Sequence, residues 1–440
     1  MKDKIRIGCG AGFSGDRLDP ALILAEKGNL DYLVLECLAE RTIALAQKRK
    51  LQDPAQGYDP LLERRIESLL PLLAKNKVCL ITNMGAANPV AGAKKVVDIA
   101  RKTGIKTRVA AVFGDDVFGQ TNPGAFALET GKALSASGEL ISANAYLGMD
   151  GILKALENEA NIIITGRVAD PSLFLAPMVY ELGWQTDNYD LMGKGTVIGH
   201  LLECAGHITG GYFADPVKKP VEGLETLGHP FADIFADGSA IIGKVEGTGG
   251  VIDLRTAKEQ LLYEVVNPYA YLTPDVVADF STVILKETGK DRVLVTGGTG
   301  KTKPPTYKVS IGYRAFYLGE GEISYAGPAA LERAKLAGEI LEKRLKNKME
   351  ELKTDYIGLS SVHRTLFGAP PLPGEIRLRV AGKAVSPQLA ALVGEEVEAL
   401  YTNGPAGGGG VRKYVNEVIG IVSTLMDRNK ISPEISFFES

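Results

Sequence analysis

The sequence predicts an α/β fold: a Rossmann-like, mostly parallel β-sheet with helices on both faces, accompanied by a smaller α+β portion. The first observation is a set of short, continuous apolar runs, which are typical of parallel strands buried on both faces. The second is that helical patterns separate these runs, and such alternation favours right-handed crossovers and a parallel sheet. The five runs are residues 5–7, 32–35, 78–81, 109–112 and 162–164.

The residue pattern predicts two helices in the first half of the chain. Residues 60–76 repeat leucine and isoleucine at helical spacing opposite a charged face, which is the pattern of an amphipathic helix. Residues 89–102 begin with Pro89, and proline suits the first helical turn because the amide hydrogen it lacks would have no partner there. A short turn at residues 103–104 then leads into the fourth apolar run.

The pattern changes after about residue 215. We therefore predict an α/β domain with strand-end active-site loops over residues 1–215 and an α+β portion over residues 216–440. The elements expected in the second portion are a β-hairpin of residues 308–317 and 323–325 turning at 319–321, a helix over 328–352, a strand at 376–380 and a helix over 411–426.

Composition narrows the class of protein. The 440-residue chain is 45% hydrophobic and 23% charged, which is typical of a globular protein. Its net charge of −3 leaves no broad basic field, so we expect neither a nucleic-acid nor a membrane partner. No apolar stretch approaches the roughly 20 residues that span a bilayer, and the N-terminus lacks a signal-peptide pattern. The four cysteines form no C-x-x-C pair, which indicates free thiols and a cytoplasmic protein.

Polar, glycine-punctuated loops follow the apolar runs. Glu36 follows the second run, Asn83 and Gly85 follow the third, and Arg167 and Asp170 follow the fifth. Because ligands bind at the carboxyl ends of the strands in open α/β sheets, we expect these loops to form one composite site. Carboxylates gathered in one cleft repel each other, so one of them can keep its proton and act as a general acid. The pattern therefore favours an enzyme.

A second constellation consists of His200, Glu203 and His207. Offsets of zero, three and seven residues lie on one helix face, where these groups could bind a divalent metal or transfer protons. Gly206 disfavours a helix that continues to His207, which weakens the metal interpretation. A role of His200 or Glu203 in proton transfer or substrate contact and a purely structural role both stay open. We place Asn144 in the same cleft.

Two glycine-rich loops are predicted anion sites. Backbone amides of the first loop could hold a phosphate or carboxylate, although the loop lacks a G-x-G-x-x-G motif leading into a helix. The second loop precedes the predicted helix at 411–426, whose basic first turn suits a bound anion; a mobile linker is the alternative. The residues concerned are Gly10, Gly12, Ser14 and Gly15 in the first loop and Gly408, Gly409 and Gly410 in the second.

Six motifs stand out along the chain. They are GAGFSGD at 10–16, NMG at 83–85, TGRVAD at 165–170, GHLLEC at 199–204, TGGYFAD at 209–215 and PPTYKV at 304–309. Together and in this order they resemble the acyclic terpene utilisation protein A (AtuA-like) family, over roughly residues 5–415. The positions marked by the resemblance are Glu36, Asn83, Arg167, Asp170, His200, Glu203 and Cys204.

The resemblance implies a place in the bacterial breakdown of citronellol and geraniol, near a branched hydroxy-dicarboxylic acyl-CoA step and with lyase chemistry. It also implies that some members work with a separate small protein, while longer relatives carry a small extra C-terminal domain. This chain lacks the pattern of that domain, so a small companion protein is one expected partner. The resemblance transfers no established catalytic residue.

We predict an enzyme of lyase or hydro-lyase type that acts by acid–base catalysis on a small hydroxy or branched carboxylic acid, or on its acyl-CoA thioester. Arg167 would clamp a substrate carboxylate. Glu36 or Glu203 would be the base and His200 the acid. Asn83 and the neighbouring loop amides would stabilise a developing oxyanion.

Further expectations concern cofactors and partners. The cofactor is open, with the CoA moiety of the substrate as a candidate, and we assign no metal ligand. Gly85, Asn144 and Cys204 complete the predicted substrate contacts, and a homo-oligomer is expected. The alternatives are a non-catalytic subunit that needs a small partner protein and a dinucleotide-dependent oxidoreductase.

Overall fold

The computed structural model of the protein describes residues 2–362 and 373–440. It groups the chain into two compact units. The first unit comprises Met1–Leu134, Ile141–Gly312 and Ile421–Ser440, and the second comprises Ser135–Leu140 and Tyr313–Gly420. This division differs from the predicted boundary at residue 215, because strands that follow this residue join the same sheet as the strands before it.

Eighteen strands occur in the described residues. In chain order they are β1 Lys4–Ala11, β2 Tyr32–Leu35, β3 Cys79–Thr82, β4 Arg108–Phe113, β5 Glu139–Ala145, β6 Ile162–Thr165, β7 Pro230–Phe235, β8 Ala240–Lys244, β9 Tyr271–Leu272, β10 Val277–Asp279, β11 Ile284–Gly289, β12 Arg292–Thr296, β13 Thr299–Lys301, β14 Thr306–Ala326, β15 Glu351–Ile357, β16 Glu375–Ala384, β17 Gly409–Asp427 and β18 Glu434–Glu439.

Ten α-helices occur in the same residues, and none of them combines the length and apolar character needed to cross a membrane. They are α1 Asp19–Lys27, α2 Glu40–Gln52, α3 Leu62–Asn76, α4 Pro89–Thr103, α5 Asp150–Glu157, α6 Ser172–Leu182, α7 Tyr189–Glu203, α8 Leu254–Leu262, α9 Ala330–Leu345 and α10 Pro387–Asn403.

The large sheet of the first unit has ten strands in the order β11-β12-β8-β7-β1-β2-β3-β6-β4-β18. The five central strands run parallel, and they are the five predicted apolar runs. The flanking strands pair antiparallel, since short turns such as the one between β7 and β8 permit this pairing. The sheet is therefore mixed around a parallel centre rather than mostly parallel. Its parallel strand order also differs from the dinucleotide-binding order.

Two layers of helices pack on the parallel strands. Helices α1, α3 and α4 contact one another in the first layer, and α5, α6 and α7 do so in the second. Strand β3 leads into α4 and its neighbour β6 leads into α6, so the chain leaves these adjacent strands toward different layers. Such a topological switch point opens a crevice beyond the carboxyl ends of the strands, where ligands bind in open α/β sheets.

The second unit has a separate hydrophobic core. Its sheet has the order β15-β16-β14-β17, and α9 and α10 pack against it. Apolar residues at alternate positions of β14 and β16, such as Ile323, Tyr325, Leu378 and Val380, are buried under the helices. The predicted strand at 376–380 is thus confirmed within β16, and the second half contains both strands and helices.

Three elements of the second portion differ from the predictions. The predicted hairpin is one continuous strand, β14, because Gly319 and Gly321 lie inside it where α10 packs too closely for a side chain. The helix predicted over 328–352 is the shorter α9, and residues after 350 form β15. The helix predicted over 411–426 is strand β17, since pairing with β14 selects the extended form of this valine-rich segment.

Candidate functional site

Three predicted site residues meet at the switch point. Glu36 and Asn83 directly follow β2 and β3, and Arg167 follows β6 after Gly166; these three strands are neighbours in the sheet. Asn83 connects two of the loops, because its Nδ2 donates to Glu36 Oε1 at 2.8 Å and its Oδ1 accepts from the Cys37 amide at 2.7 Å. All three side chains are buried. Asn83 thus positions Glu36.

The Glu36 carboxyl group has two inequivalent oxygens. Oε1 accepts hydrogen bonds from Asn83 and from the Leu38 amide, at 2.8 and 2.9 Å, and no described residue donates to Oε2. Burial raises the pKa of Glu36 well above its usual range, and the negative charge of Asp170 raises it further, against the lowering by Arg167. The raised pKa favours the protonated form of Glu36. Because two donors occupy Oε1, a proton on this carboxyl group would reside on Oε2.

Arg167 is enclosed by protein groups. Its side chain is 1% exposed and pairs with Asp170, while its guanidinium also donates to the carbonyls of Leu38 and Val168. The guanidinium stacks on the Tyr146 ring with 4.3 Å to the centroid. These contacts leave little room for the predicted bidentate clamp on a substrate carboxylate. Arg167 instead supplies a fixed positive charge between the acidic groups.

Tyr146 and Glu40 extend this cluster. The Tyr146 hydroxyl donates a short hydrogen bond to Glu40, and Lys308 lies 3.4 Å from the same carboxylate. Against the effect of burial, the hydrogen bond from Tyr146 and the charges of Arg167 and Lys308 lower the pKa of Glu40 to about 2. Glu40 is therefore a carboxylate at all physiological pH values. Tyr146 was not among the predicted site residues, although its position after β5 was a signal.

Asn144 has a supporting role. Its Nδ2 donates to Asp115 Oδ2 at 2.8 Å, and the same oxygen accepts from the Arg167 amide at 3.1 Å. Burial raises the pKa of Asp115 to about 6. Gly166 packs directly on this carboxyl group, where a Cβ atom would overlap it. Asn144 is thus occupied within the fold and holds the loop that carries Arg167.

The end of α7 contributes the second acidic centre. His200 Nδ1 lies 2.9 Å from Glu203 Oε1, and His200 Nε2 lies 2.9 Å from the carbonyl oxygen of Gln260. Burial raises the pKa of Glu203 well above its usual range, with the charges of Asp170 and Glu264 acting in the same direction. Glu203 Oε2 is buried and has no hydrogen-bond partner. This unpartnered oxygen is an acceptor available to a ligand.

The hydrogen bonds define the protonation of His200. The Gln260 carbonyl can only accept, so Nε2 carries a hydrogen. Burial lowers the pKa of His200 to about 4, so the ring is neutral at pH 7 and Nδ1 is an acceptor. Glu203 therefore donates its proton from Oε1 to Nδ1. Both ring nitrogens are engaged, so His200 positions Glu203 and cannot itself be the predicted acid toward substrate.

The loop after β1 lies beside this dyad. Gly12 packs against the backbone of Cys204, where a Cβ atom would overlap it, and the Cys9 thiol faces the Glu203 carbonyl at 3.8 Å. Cys204 is half-buried, and burial raises the pKa of its thiol. The Glu36 amide donates to the Ala11 carbonyl at 2.9 Å, next to Gly12, so both acidic centres border the same loop.

The predicted anion loop is closed by its own carboxylate. Asp16 accepts from the amides of Gly12 and Phe13, at 2.6 and 3.3 Å, which occupies the donors expected to hold an external anion. The buried Arg65 donates to the carbonyls of Ser14 and Asp16 and fixes the loop. Gly10 lies within β1, and Gly15 packs on the Phe13 ring. These glycines serve close packing in this structure.

The second predicted anion loop does not precede a helix, contrary to the prediction. Gly408, Gly409 and Gly410 lead into strand β17 of the second unit, so no helix terminus follows them. Gly85 lies in the loop after β3, where this loop packs against the backbone of Thr165 and leaves no room for a side chain.

His207 does not lie on the same helix as His200 and Glu203. Helix α7 ends at Glu203, and His207 lies on a separate 3-10 turn, as the position of Gly206 suggested. Its ring packs edge-on against Tyr263, with 4.9 Å between centroids. Within residues 2–362 and 373–440, no group of three or more His, Cys, Asp or Glu side chains has the arrangement of a metal site.

Comparison with known proteins gives the family. The family model described as acyclic terpene utilisation family protein AtuA matches residues 5–437. The chain belongs to the AtuA family. No curated protein and no solved structure matches it. The AtuA match covers every site residue named above, which confirms the resemblance seen in the motifs.

Two residues beside the dyad, Gln260 and Tyr271, were not among the predicted site residues. Gln260 lies 57 positions after Glu203 on another helix, and only the packing of α8 against α7 brings its carbonyl to His200. Tyr271 stacks on His200 with 5.5 Å between ring centroids. It lies in an aromatic-rich segment whose composition alone does not distinguish a site from a core.

Proposed function

We propose that this AtuA-family chain is an enzyme that acts by acid–base catalysis on a small hydroxy or branched carboxylic acid, or on its CoA thioester, with lyase or hydro-lyase chemistry in the cytoplasm. The observation that carries the proposal is a pair of buried carboxyl groups, Glu36 and Glu203, whose pKa values burial raises and which both sense the charges of Arg167 and Asp170. Buried acids with raised pKa values are typical of catalytic sites.

Glu36 is the general acid in this proposal. Asn83 and the Leu38 amide occupy Oε1, so the acidic hydrogen on Oε2 is free to protonate a substrate oxygen. In a hydro-lyase reaction that oxygen is the departing hydroxyl group, which leaves as water. In this mechanism Asn83 acts by holding Glu36, and it is no longer the direct oxyanion donor that the sequence predicted.

The Glu203–His200 dyad is the base. Glu203 Oε2 accepts a proton from the substrate carbon or hydroxyl group, while the proton on Oε1 passes to His200 Nδ1. The resulting imidazolium keeps both hydrogens bonded, one to Glu203 and one to the Gln260 carbonyl. The dyad is neutral before the transfer and needs no prior deprotonation of Glu203. His200 thus orients Glu203 and takes up its proton, as a histidine does for its partner in other acid–base sites.

The charge balance supports the same assignment. With Glu36 and Glu203 protonated, the cations Arg167 and Lys308 face the carboxylates Asp170 and Glu40. Burial lowers the pKa of Arg167, but the surrounding acidic groups outweigh it and the net pKa is raised, so the guanidinium stays charged. Negative charge that develops on a substrate carbonyl would be stabilised by this fixed cation.

The residues near the dyad are compatible with an acyl-CoA thioester as the substrate. An open surface groove of about 530 Å³ is lined by Leu262 and Tyr263, by the cations Arg255 and Lys258, and by the acidic residues Glu259 and Glu264. Glu264 has a left-handed backbone with φ of 61°, a strained conformation that is common near functional sites. An aliphatic acyl chain and an anionic CoA tail would find apolar and cationic partners here.

A panel of hydroxy acids and hydroxyacyl-CoA thioesters, analysed by mass spectrometry for loss or gain of water and for carbon–carbon cleavage, tests the function. We expect turnover of at least one compound that Glu203→Gln and Glu36→Gln both abolish. The matched control is Glu157→Gln on the exposed face of α5. Turnover that survives both site substitutions would overturn the proposal.

A second candidate is a subunit that works only with a small partner protein. Two large apolar side chains are exposed: Tyr212, whose ring centroid lies 5.8 Å from that of His207, is 90% exposed, and Val266 is 99% exposed. A partner protein that covers these side chains would remove their apolar surface from water. Purification of the native protein with its interacting chains, followed by the same assay with and without them, separates the two candidates.

A further inference from the structure

A second cavity lies at the opposite end of the parallel strands. It has a volume of about 360 Å³ and is bordered by the end of α3, the first residues of β3 and β6, and the segment before β4. Glu36, Asn83 and Arg167 follow the carboxyl ends of these strands, whereas this cavity adjoins their amino ends. None of the site residues lines it, so it serves a different purpose from the candidate active site.

One wall of the cavity is apolar. Leu70 and Leu73 come from α3, Val78 precedes β3, and Ile105 and Ile162 complete the wall. Four of these side chains are buried and belong to the main hydrophobic core, and Ile105 packs against that core. The wall is therefore fixed by the fold. A cavity of this size and character is within the range of small-molecule sites.

The rim of the same cavity is polar and basic. Lys77 and Lys106 line it with exposed side chains, and neither forms an ion pair with a residue in the described ranges. Thr107 also lines it; this residue is 8% exposed, and its Oγ1 has no hydrogen-bond partner. A buried hydroxyl group without a partner is uncommon in native proteins and indicates a group that a ligand or water completes. Two cations and one free hydroxyl group favour an anion.

Lys77 is held in place by its backbone. It caps α3 in the left-handed conformation, with φ of 55°, and its amide donates to the Leu73 carbonyl. The Val78 amide donates to the same carbonyl at 3.0 Å. The Leu73 carbonyl at the end of α3 is thus occupied by two donors.

We propose that this cavity binds a small amphipathic carboxylic acid, with an aliphatic chain against the leucine and isoleucine wall and a carboxylate near Lys77, Lys106 and Thr107. The apolar volume accounts for the chain, and the unpaired cations with the free hydroxyl group account for the carboxylate. This inference does not rest on the proposed function, because it uses no residue of that site.

Octanoate is the probe, titrated into the full-length protein by isothermal calorimetry. We expect saturable binding of one molecule per chain, and binding at least five-fold weaker for octanol, which has the chain without the charge. Ala74→Trp places a ring at the cavity from an exposed helix position and should abolish binding. Lys106→Gln and Thr107→Val should each weaken it several-fold. The control Lys343→Gln lies on α9 of the second unit and should bind normally.

Cys79 provides a readout that is independent of calorimetry. Its half-buried thiol lines the cavity, so bound octanoate should slow its alkylation by N-ethylmaleimide, measured by peptide mass, more than that of Cys204. Thermal unfolding of each variant establishes that it folds. Octanoate that fails to saturate, binds Ala74→Trp as well as wild type, or leaves Cys79 unprotected would overturn the proposal. Equal binding of octanol and octanoate would overturn the carboxylate part.

Discussion

His200 and Glu203 lie one helical turn apart on α7, with Nδ1 of the histidine 2.9 Å from Oε1 of the glutamate. The second ring nitrogen is committed to the Gln260 carbonyl, so the pair shares a single proton between Nδ1 and Oε1. The other glutamate oxygen is left as the one acceptor of the dyad. In the proposed mechanism the histidine is therefore a positioning residue, and the glutamate is the group that meets a substrate.

The dyad predicts different effects for its two members. Glu203→Gln should fold normally and reduce kcat by about 10²–10⁴-fold, because the amide cannot accept the substrate proton. His200→Gln should reduce kcat as well, with little change in KM, and should alter the pH dependence of kcat by removing the proton acceptor at Nδ1. Steady-state kinetics from pH 5 to 9 measures both.

Glu157→Gln is the control for a glutamate-to-glutamine change and should leave kcat unchanged, since this side chain is exposed on α5. If the His200→Gln enzyme kept the wild-type pH profile and rate, the histidine would have only a packing role and the dyad mechanism would be wrong.

Glu36 and Asn83 allow catalysis and stability to be separated. Glu36→Gln keeps an oxygen that can accept from Asn83 and the Leu38 amide, so we expect a near-normal melting temperature and a large loss of turnover. Asn83→Leu leaves the buried Cys37 amide without a partner, at a cost of about 1–3 kcal/mol, and removes one of the two donors to Glu36 Oε1. Urea unfolding and activity assays distinguish the two outcomes. An Asn83→Leu protein as stable as wild type would contradict the described network.

Gly166 should not tolerate a side chain. A Cβ atom there would overlap the Asp115 carboxyl group, which is held by Asn144 and the Arg167 amide. We expect Gly166→Ala to lower the free energy of unfolding by about 1–3 kcal/mol through this overpacking. Gly119→Ala is the matched control, because a Cβ atom at that position has nothing within 4 Å. Equal melting temperatures for the two variants would show that the loop accommodates the methyl group.

Asp115 should make stability depend on pH. Burial raises its pKa from 3.8 to about 6, so between these values the native state holds a proton that the unfolded chain has released. This contribution to the free energy of unfolding is present below pH 4 and declines as pH rises through 6, by about 3 kcal/mol at most. Asp115→Asn cannot ionise and should remove this decline.

Urea unfolding of wild type and Asp115→Asn at pH 4.5, 6 and 8 checks the prediction. The variant should gain stability relative to wild type as pH increases. A constant difference across the three pH values would mean that the Asp115 carboxyl group has no raised pKa in the folded protein.

Short-range pattern was sufficient for the parallel centre of the fold. The five apolar runs are strands β1, β2, β3, β4 and β6, and α3 and α4 lie where amphipathic spacing and Pro89 placed them. These elements could be predicted because strands buried on both faces need continuous apolar residues, whatever else surrounds them. By contrast, the valine-rich segment after Gly410 fits a helix and a strand equally well, and pairing with β14 decides between them.

For the site too, the sequence shows the local positions of the residues but not their distant partners. That Glu36, Asn83 and Arg167 follow strand ends is visible in the chain, and the resemblance to the AtuA family rests on motifs that can be read directly. Whether such groups face a substrate depends on partners far away in sequence. Arg167 is occupied by carbonyls and Asp170, and the amides after β1 are occupied by Asp16.

The sequence by itself determined the parallel strands, the α3 and α4 helices, the family and the strand-end positions of the acidic residues, because each depends on neighbouring residues or short motifs. Only the tertiary structure decided the strand order, the continuous β14, the tautomer of His200 and the oxygen of Glu36 that carries the proton. Those properties arise from contacts such as Gln260 with His200, and a buried polar group takes its protonation from whatever the folded chain places beside it.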